Sequence, residues 1–299
     1  MFRNIFIIIL GIILAFTPVG GYQEGIIILM CINCIAAMGV SVLTGFTGIF
    51  TLGHAAYMAL GAYTTGILTV KYGVNFSPAI LAGGLMAVLV AWLIGIPTLK
   101  LTGDYYAIAS IGLGEAIRLI IENWQSLTRG SRGLPGIEPY TSRSLAVILF
   151  IGFAIFLFNI LDGKIGRELK ATRDDQIVAS LIGFNTPATK MKALIISAFY
   201  CGIAGSLLGG YMCFIQPSMF DMMKSTELTA VVVFGGLGSL SGTILGSMTI
   251  TLVMEYFRDV SQYRMLIYGL LLVIIMVFRP EGLLGSREIW ELFTRRRNK

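Results

Sequence analysis

Ten apolar stretches, each at or near the length of a bilayer crossing, occupy this chain, and one polar, basic segment (Asp162–Lys192) interrupts them. A helix needs roughly 20 predominantly apolar residues to cross the hydrocarbon core, and a soluble domain has no interior large enough for ten such segments. Of the 299 residues, 56% are hydrophobic and only 13% charged, with a mean hydropathy of +0.83. The fold class this dictates is all-α: a polytopic transmembrane bundle of about ten spans, forming one domain over residues 1–299.

The spans read as 4–20, 25–43, 50–70, 79–99, 104–121, 144–161, 193–215, 226–240, 242–257 and 264–279. If 162–192 is cytoplasmic, both termini are cytoplasmic too. Then 14 of the 22 Lys and Arg face the cytoplasm, including the basic tail 286–299 with Arg295, Arg296 and Arg297. Seven are external, so the bias obeys the positive-inside rule and explains the net charge of +6 without nucleic acid. Arg3 followed by the apolar run Ile5–Phe16 resembles a signal peptide, but Ala15-Phe16-Thr17 is a poor cleavage site. Removing that span would also invert the charge pattern, so it is expected to stay.

Two glycine clusters interrupt apolar segments, one in each half. The first includes Gly45, Gly48, Gly53 and His54; the second includes Gly235, Gly236 and Gly238. Broken helices in corresponding places point to a pathway near the midplane. Thr226–Phe257 is expected to form two short spans or a re-entrant pair, because one long helix would send the Arg-rich tail outside. His54, the only histidine, has two readings. A neutral imidazole could hold a carbonyl freed by the break, or an ionisable group could serve the pathway. Glu115 and Arg118, spaced i, i+3, can pair with each other, or Glu115 can meet the ammonium of a zwitterion. Cys31-x-x-Cys34 lacks a second Cys/His pair and reads as packing, so no metal site or catalytic set is expected. Gly205/Gly209 and Gly242/Gly246 read as close helix contacts. The external stretch 122–143 reads as loop, with Arg129 and Arg132 available to an acidic partner.

Within 162–192, Thr172 is the expected N-cap of a short amphipathic helix, with Asp174 and Asp175 in its first turn. Gln176 and Ala179 lie within it, Ile177, Val178, Leu181 and Ile182 form its apolar stripe, and Gly183 ends it. Such a helix either lies on the bilayer surface or inserts into a groove on a cytoplasmic partner.

The run Gly166 to Gly183, reading GRELKATRDDQIVASLIG, resembles the coupling loop of ABC importer permeases, above all the branched-chain amino acid permeases of the LivM type. Leu52-Gly53-His54-Ala55-Ala56, Tyr105-Tyr106-Ala107-Ile108 with Gly114-Glu115, Val233 to Ser239 and Phe278 to Gly285 resemble the same family in the same order. Gly48-Ile49 departs from the family's usual Gly-Gln. The resemblance implies a permease whose 162–192 segment couples to an ATPase through Asp174 to Gly183. It also implies a second, LivH-like permease subunit, two cytoplasmic ATPase subunits and an extracytoplasmic binding protein as partners, in a bacterial inner membrane. ATP and magnesium would sit on the ATPase subunits, with no cofactor in this chain, and no P-loop sequence occurs in it. Branched-chain amino acids are the implied cargo, with other amino acids, amides or urea-like solutes left open. A secondary transporter is the rival class, and it would need no cytoplasmic partner helix.

Overall fold

A computed structural model describes residues 20–257 without interruption, together with Gly11, Gly269, Leu270, Val273, Val277, residues 282–285 and Glu288. The spans expected at 4–20 and 264–279 lie largely outside the described residues, as does the basic tail apart from Glu288.

Two long helices form the centre. Helix α1 (Gly21–Ser41) runs on through a π-helical turn, Val42–Phe46, and helix α9 (Thr186–Met212) crosses beside it. Both are buried over most of their apolar length, whereas α3 (Phe76–Thr98) and α6 (Arg143–Asp162) are buried over less than half of theirs, so the latter two are peripheral. These four are the described helices long and apolar enough to cross a membrane. Helix α2 (His54–Tyr72) packs against both α3 and α9, which also pack on each other, and α4 (Asp104–Asn123) packs against α2. Glycine permits these close approaches: a Cβ on Gly205 would run into the Met58 carbonyl, and one on Gly61 into that of Gly202.

The outer surface is apolar. Leu81, Leu85, Leu89, Trp92 and Ile96 form an exposed stripe at helical spacing along α3. A stripe of this kind along a whole helix is what a protein presents to hydrocarbon rather than to water.

Several boundaries differ from the sequence reading. The span expected from residue 50 starts at His54, because 47–53 leaves the helical conformation. The span expected from 193 starts at Thr186, where Asn185 caps the helix by accepting from Ala188 N and Pro187 occupies the first turn. Most of 162–192 is therefore helical: α7 (Lys164–Asp174), α8 (Gln176–Leu181) and the start of α9. The stretch 122–143 is not a plain loop either. It contains α5 (Gln125–Thr128), a 3-10 turn and β1 (Leu134–Pro135), which pairs antiparallel with β2 (Phe214–Ile215).

Residues 226–257 form two helices, α10 (Met222–Gly235) and α11 (Leu240–Tyr256), packed together across a tight turn. Gly236 (φ +116°) and Gly238 (φ +93°) take the positive φ that this turn requires. Residues 282–285 return to it, with Leu283 N donating to Phe234 O at 2.9 Å and Leu284 N to Gly235 O at 3.3 Å.

Candidate functional site

The exposed segment is built as a rigid projection. Helix α7 ends at Asp174, Asp175 turns extended, and α8 begins at once. The N-cap is Asp175, whose carboxylate accepts from Ile177 N at 2.7 Å and Val178 N at 3.1 Å. Thr172 is buried, and its hydroxyl donates to Glu168 O at 2.8 Å inside the preceding helix. The expected cap at Thr172 is thus replaced by one three residues later, because two helices in tandem share a single linking residue. Asp174 likewise closes α7 rather than opening α8.

At the other end Gly183 adopts φ +94°. Gly183 N donates to Ser180 O at 3.1 Å and Phe184 N to Ala179 O at 3.0 Å, the paired closure of a Schellman motif. Ile177, Val178, Leu181 and Ile182 project with exposures of 52 to 80%, whereas Ala179 is buried against the protein. Lys190 Nζ donates to Gln176 Oε1 at 2.8 Å and Lys192 Nζ pairs with Glu168 Oε2 at 3.0 Å, tying the projection to α9.

The first glycine cluster forms a break inside the bundle. After the π-helical turn the chain runs unwound through 47–53, and His54 opens α2. Hydroxyl side chains from two other helices, α4 and α10, meet the freed backbone groups. Leu52 N donates to Ser110 Oγ at 3.0 Å, Ala55 N to Ser225 Oγ at 3.0 Å, and Thr229 Oγ1 to Thr51 O at 2.9 Å. Fully buried His54 shares a 2.6 Å hydrogen bond between Nε2 and Ser197 Oγ. Its expected carbonyl partner is therefore a serine hydroxyl. At 1.5 Å per residue, Ser197 stands roughly 16 Å into α9, so the break lies well inside the bundle. A small cavity of about 20 Å³ adjoins it, lined among others by Thr51, Gly53, Tyr57, Tyr106 and Ser110. Sequence reasoning missed these serines and threonines; hydroxyls within otherwise apolar helices were the available signal.

The second cluster meets the first at the end of the bundle that carries α7 and α8. An added Cβ on Gly45 would stand 3.2 Å from Gly238 N. Arg173 lies between the clusters: its Nη1 donates to Gly45 O at 2.8 Å and toward Leu237 O at 3.4 Å. On the far side of the same turn, the Glu288 carboxylate accepts from Leu240 N at 2.9 Å and Ser241 N at 3.0 Å. Neither residue was singled out for this role in the sequence.

Glu115 stands apart from both clusters. Arg118 forks between Glu115 and Glu122, the latter at 2.7 Å, so the charges form a triad along α4. The neighbouring Gly114, by contrast, packs directly on Gly53. The expected pathway residues thus fall in three places: Gly53 and His54 at the internal break, Gly45, Gly48, Gly235, Gly236 and Gly238 around the end turn, and Glu115 on the periphery. Cys31, Cys34 and Cys201 are buried. Cys34 Sγ lies 3.7 Å from Ile244 O and Cys201 Sγ 3.8 Å from Ala36 O, distances suited to packing.

Comparison with known proteins adds an independent line. Residues 22–276 match a family described as branched-chain amino acid transport system / permease component. The high-affinity branched-chain amino acid transport system permease protein LivM of Escherichia coli K12 is 32% identical, over 86% of this chain and 68% of the relative. The high-affinity branched-chain amino acid transport system permease protein LivH of Salmonella typhimurium is 24% identical, over 85% of this chain and 91% of its own length. A probable LivM of Methanocaldococcus jannaschii is 24% identical, over 71% of this chain and 68% of its own length. No solved structure matches the chain.

Proposed function

This chain belongs to the family of branched-chain amino acid transport permease components, and we propose that it lines one half of the conduit of an ATP-driven importer in a bacterial inner membrane. Its partners in this reading are a second, LivH-like permease, two cytoplasmic ATPase subunits that hold ATP and magnesium, and an extracytoplasmic binding protein. Branched-chain amino acids are the cargo. Ten crossings place both termini and the 162–192 segment on the cytoplasmic side.

The observation that carries the reading is the rigid projection at α8. Four large aliphatic side chains on a helix capped at both ends stand exposed at the end of the bundle where the two glycine clusters converge. A stripe of that size fits a groove on a partner, which an ion-coupled transporter would not require. Asp174, Asp175 and Gly183 shape the projection, and the break at Gly53 and His54 supplies irregular backbone that membrane proteins place only along a cavity or inside protein.

The test is copurification of the ATPase with Val178→Asp permease that still reaches the membrane. An unpaired carboxylate in an apolar groove costs several kcal/mol, so the ATPase should be lost. Wild-type copurification and substrate-stimulated hydrolysis would place α8 on the bilayer surface instead.

A further inference from the structure

We propose that Arg173 is the positioning residue through which movement of α8 reaches both glycine-rich breaks. The inference rests on the reading of α8 as the ATPase-docking segment. Arg173 sits in the last turn of α7, two residues before the Asp175 cap, so any displacement of α8 pulls on it directly. Its Nη1 reaches carbonyls from each half of the chain, Gly45 at the start of the first cluster and Leu237 in the α10–α11 turn. These carbonyls belong to backbone that lacks a regular helical partner, so a cationic donor holds them more firmly than a neutral one would.

Contacts around Arg173 support a link rather than an isolated bond. Its stem lies beside Gly48, where an added Cβ would stand 3.1 Å from Arg173 Cγ, and a Cβ on Gly238 would collide with the guanidinium. One turn earlier, Lys170 Nζ stands 6.0 Å above the Phe46 ring. Helix α7 therefore grips the start of the first break by two side chains and the second break by one. Gly48 and Gly238 carry positive φ (+74° and +93°), so both segments are turns whose backbone can be redirected, whereas the flanking helices are stiff. From Gly48 the unwound chain leads directly to His54, so a pull at Arg173 is passed to the internal break without crossing a packed helix.

The inference separates docking from transmission. Val178 faces outward and governs attachment; Arg173 faces the bundle and governs what attachment does. The experiment uses the whole importer in proteoliposomes, with leucine as cargo, and measures ATPase copurification, ATP hydrolysis and leucine uptake per ATP. Arg173→Met should keep the ATPase bound and hydrolysing while uptake per ATP falls by about tenfold, a loss typical of coupling between linked sites. Arg173→Lys keeps the charge on a shorter reach, should fall between the two, and carries the test if the Met variant fails to accumulate. Wild-type uptake per ATP in Arg173→Met, or in Arg173→Lys alone should only that variant accumulate, overturns the proposal, as does loss of the ATPase from both variants. Retention of the ATPase by Val178→Asp would instead overturn the docking reading, so the two failures are distinct.

Discussion

Gly235 and Gly242 lie backbone to backbone: a Cβ on Gly235 would stand 2.5 Å from the Gly242 carbonyl oxygen, and one on Gly242 would strike the Gly235 carbonyl in return. Helices α10 and α11 approach this closely because neither carries a side chain at the crossing. Alanine at either position should push the pair apart, costing about 1–3 kcal/mol as overpacking does. The measurement is thermal unfolding of the detergent-solubilised permease, with Gly152→Ala as control. Gly152 has open space around it, so its replacement should be neutral or mildly stabilising. Equal effects at the two sites would contradict the close crossing.

The turn between these helices has its own clamp in Glu288. Truncating this carboxylate to alanine should leave Leu240 N and Ser241 N without their acceptor. Loss of a comparable helix cap costs about 0.5–2 kcal/mol. Glu288→Gln, which keeps an acceptor oxygen, should recover part of that in the same melt.

At the internal break, Ser197→Ala removes the Nε2 partner of His54, whose Nδ1 has no hydrogen-bond partner among the described residues. A buried group left unsatisfied costs about 1–3 kcal/mol, which should appear as reduced folded yield and a lower unfolding temperature. An unchanged melt would mean that the imidazole finds another hydrogen-bond partner.

The exposed projection depends on the backbone at Gly183. No atom crowds this position, so replacement acts through its φ of +94° alone. Gly183→Val should loosen ATPase binding while leaving membrane insertion intact, and Gly183→Asn should be milder, since asparagine tolerates left-handed backbone better. Pull-down of the ATPase from solubilised membranes ranks the variants.

Orientation can be read with two engineered thiols in a Cys213→Ser background, since the other three cysteines are buried. Ser180 is exposed in the projection, and Ser131 lies in the 3-10 turn of the opposite face. An impermeant maleimide should reach Ser131→Cys only from outside and Ser180→Cys only from the cytoplasm. Labelling of both from one side would refute the proposed topology.

What the sequence by itself determined is what depends on near neighbours along the chain. Apolar runs, the glycine interruptions, the exposed stripe at Ile177, Val178, Leu181 and Ile182, the Gly183 stop and the Glu115–Arg118 pair are all legible because each rests on composition or helical spacing within a few residues. Only the tertiary structure decided the rest. Arg173 reaches Gly45 and Leu237, His54 meets Ser197, and Glu288 caps α11, each across a long stretch of sequence. The choice of Asp175 over Thr172 as cap shows the same limit at short range: both residue types suit the position, and burial of Thr172 within α7 decides between them. A broken helix announces itself in glycine, but which hydroxyl, guanidinium or carboxylate satisfies its freed backbone depends on which helices pack beside it.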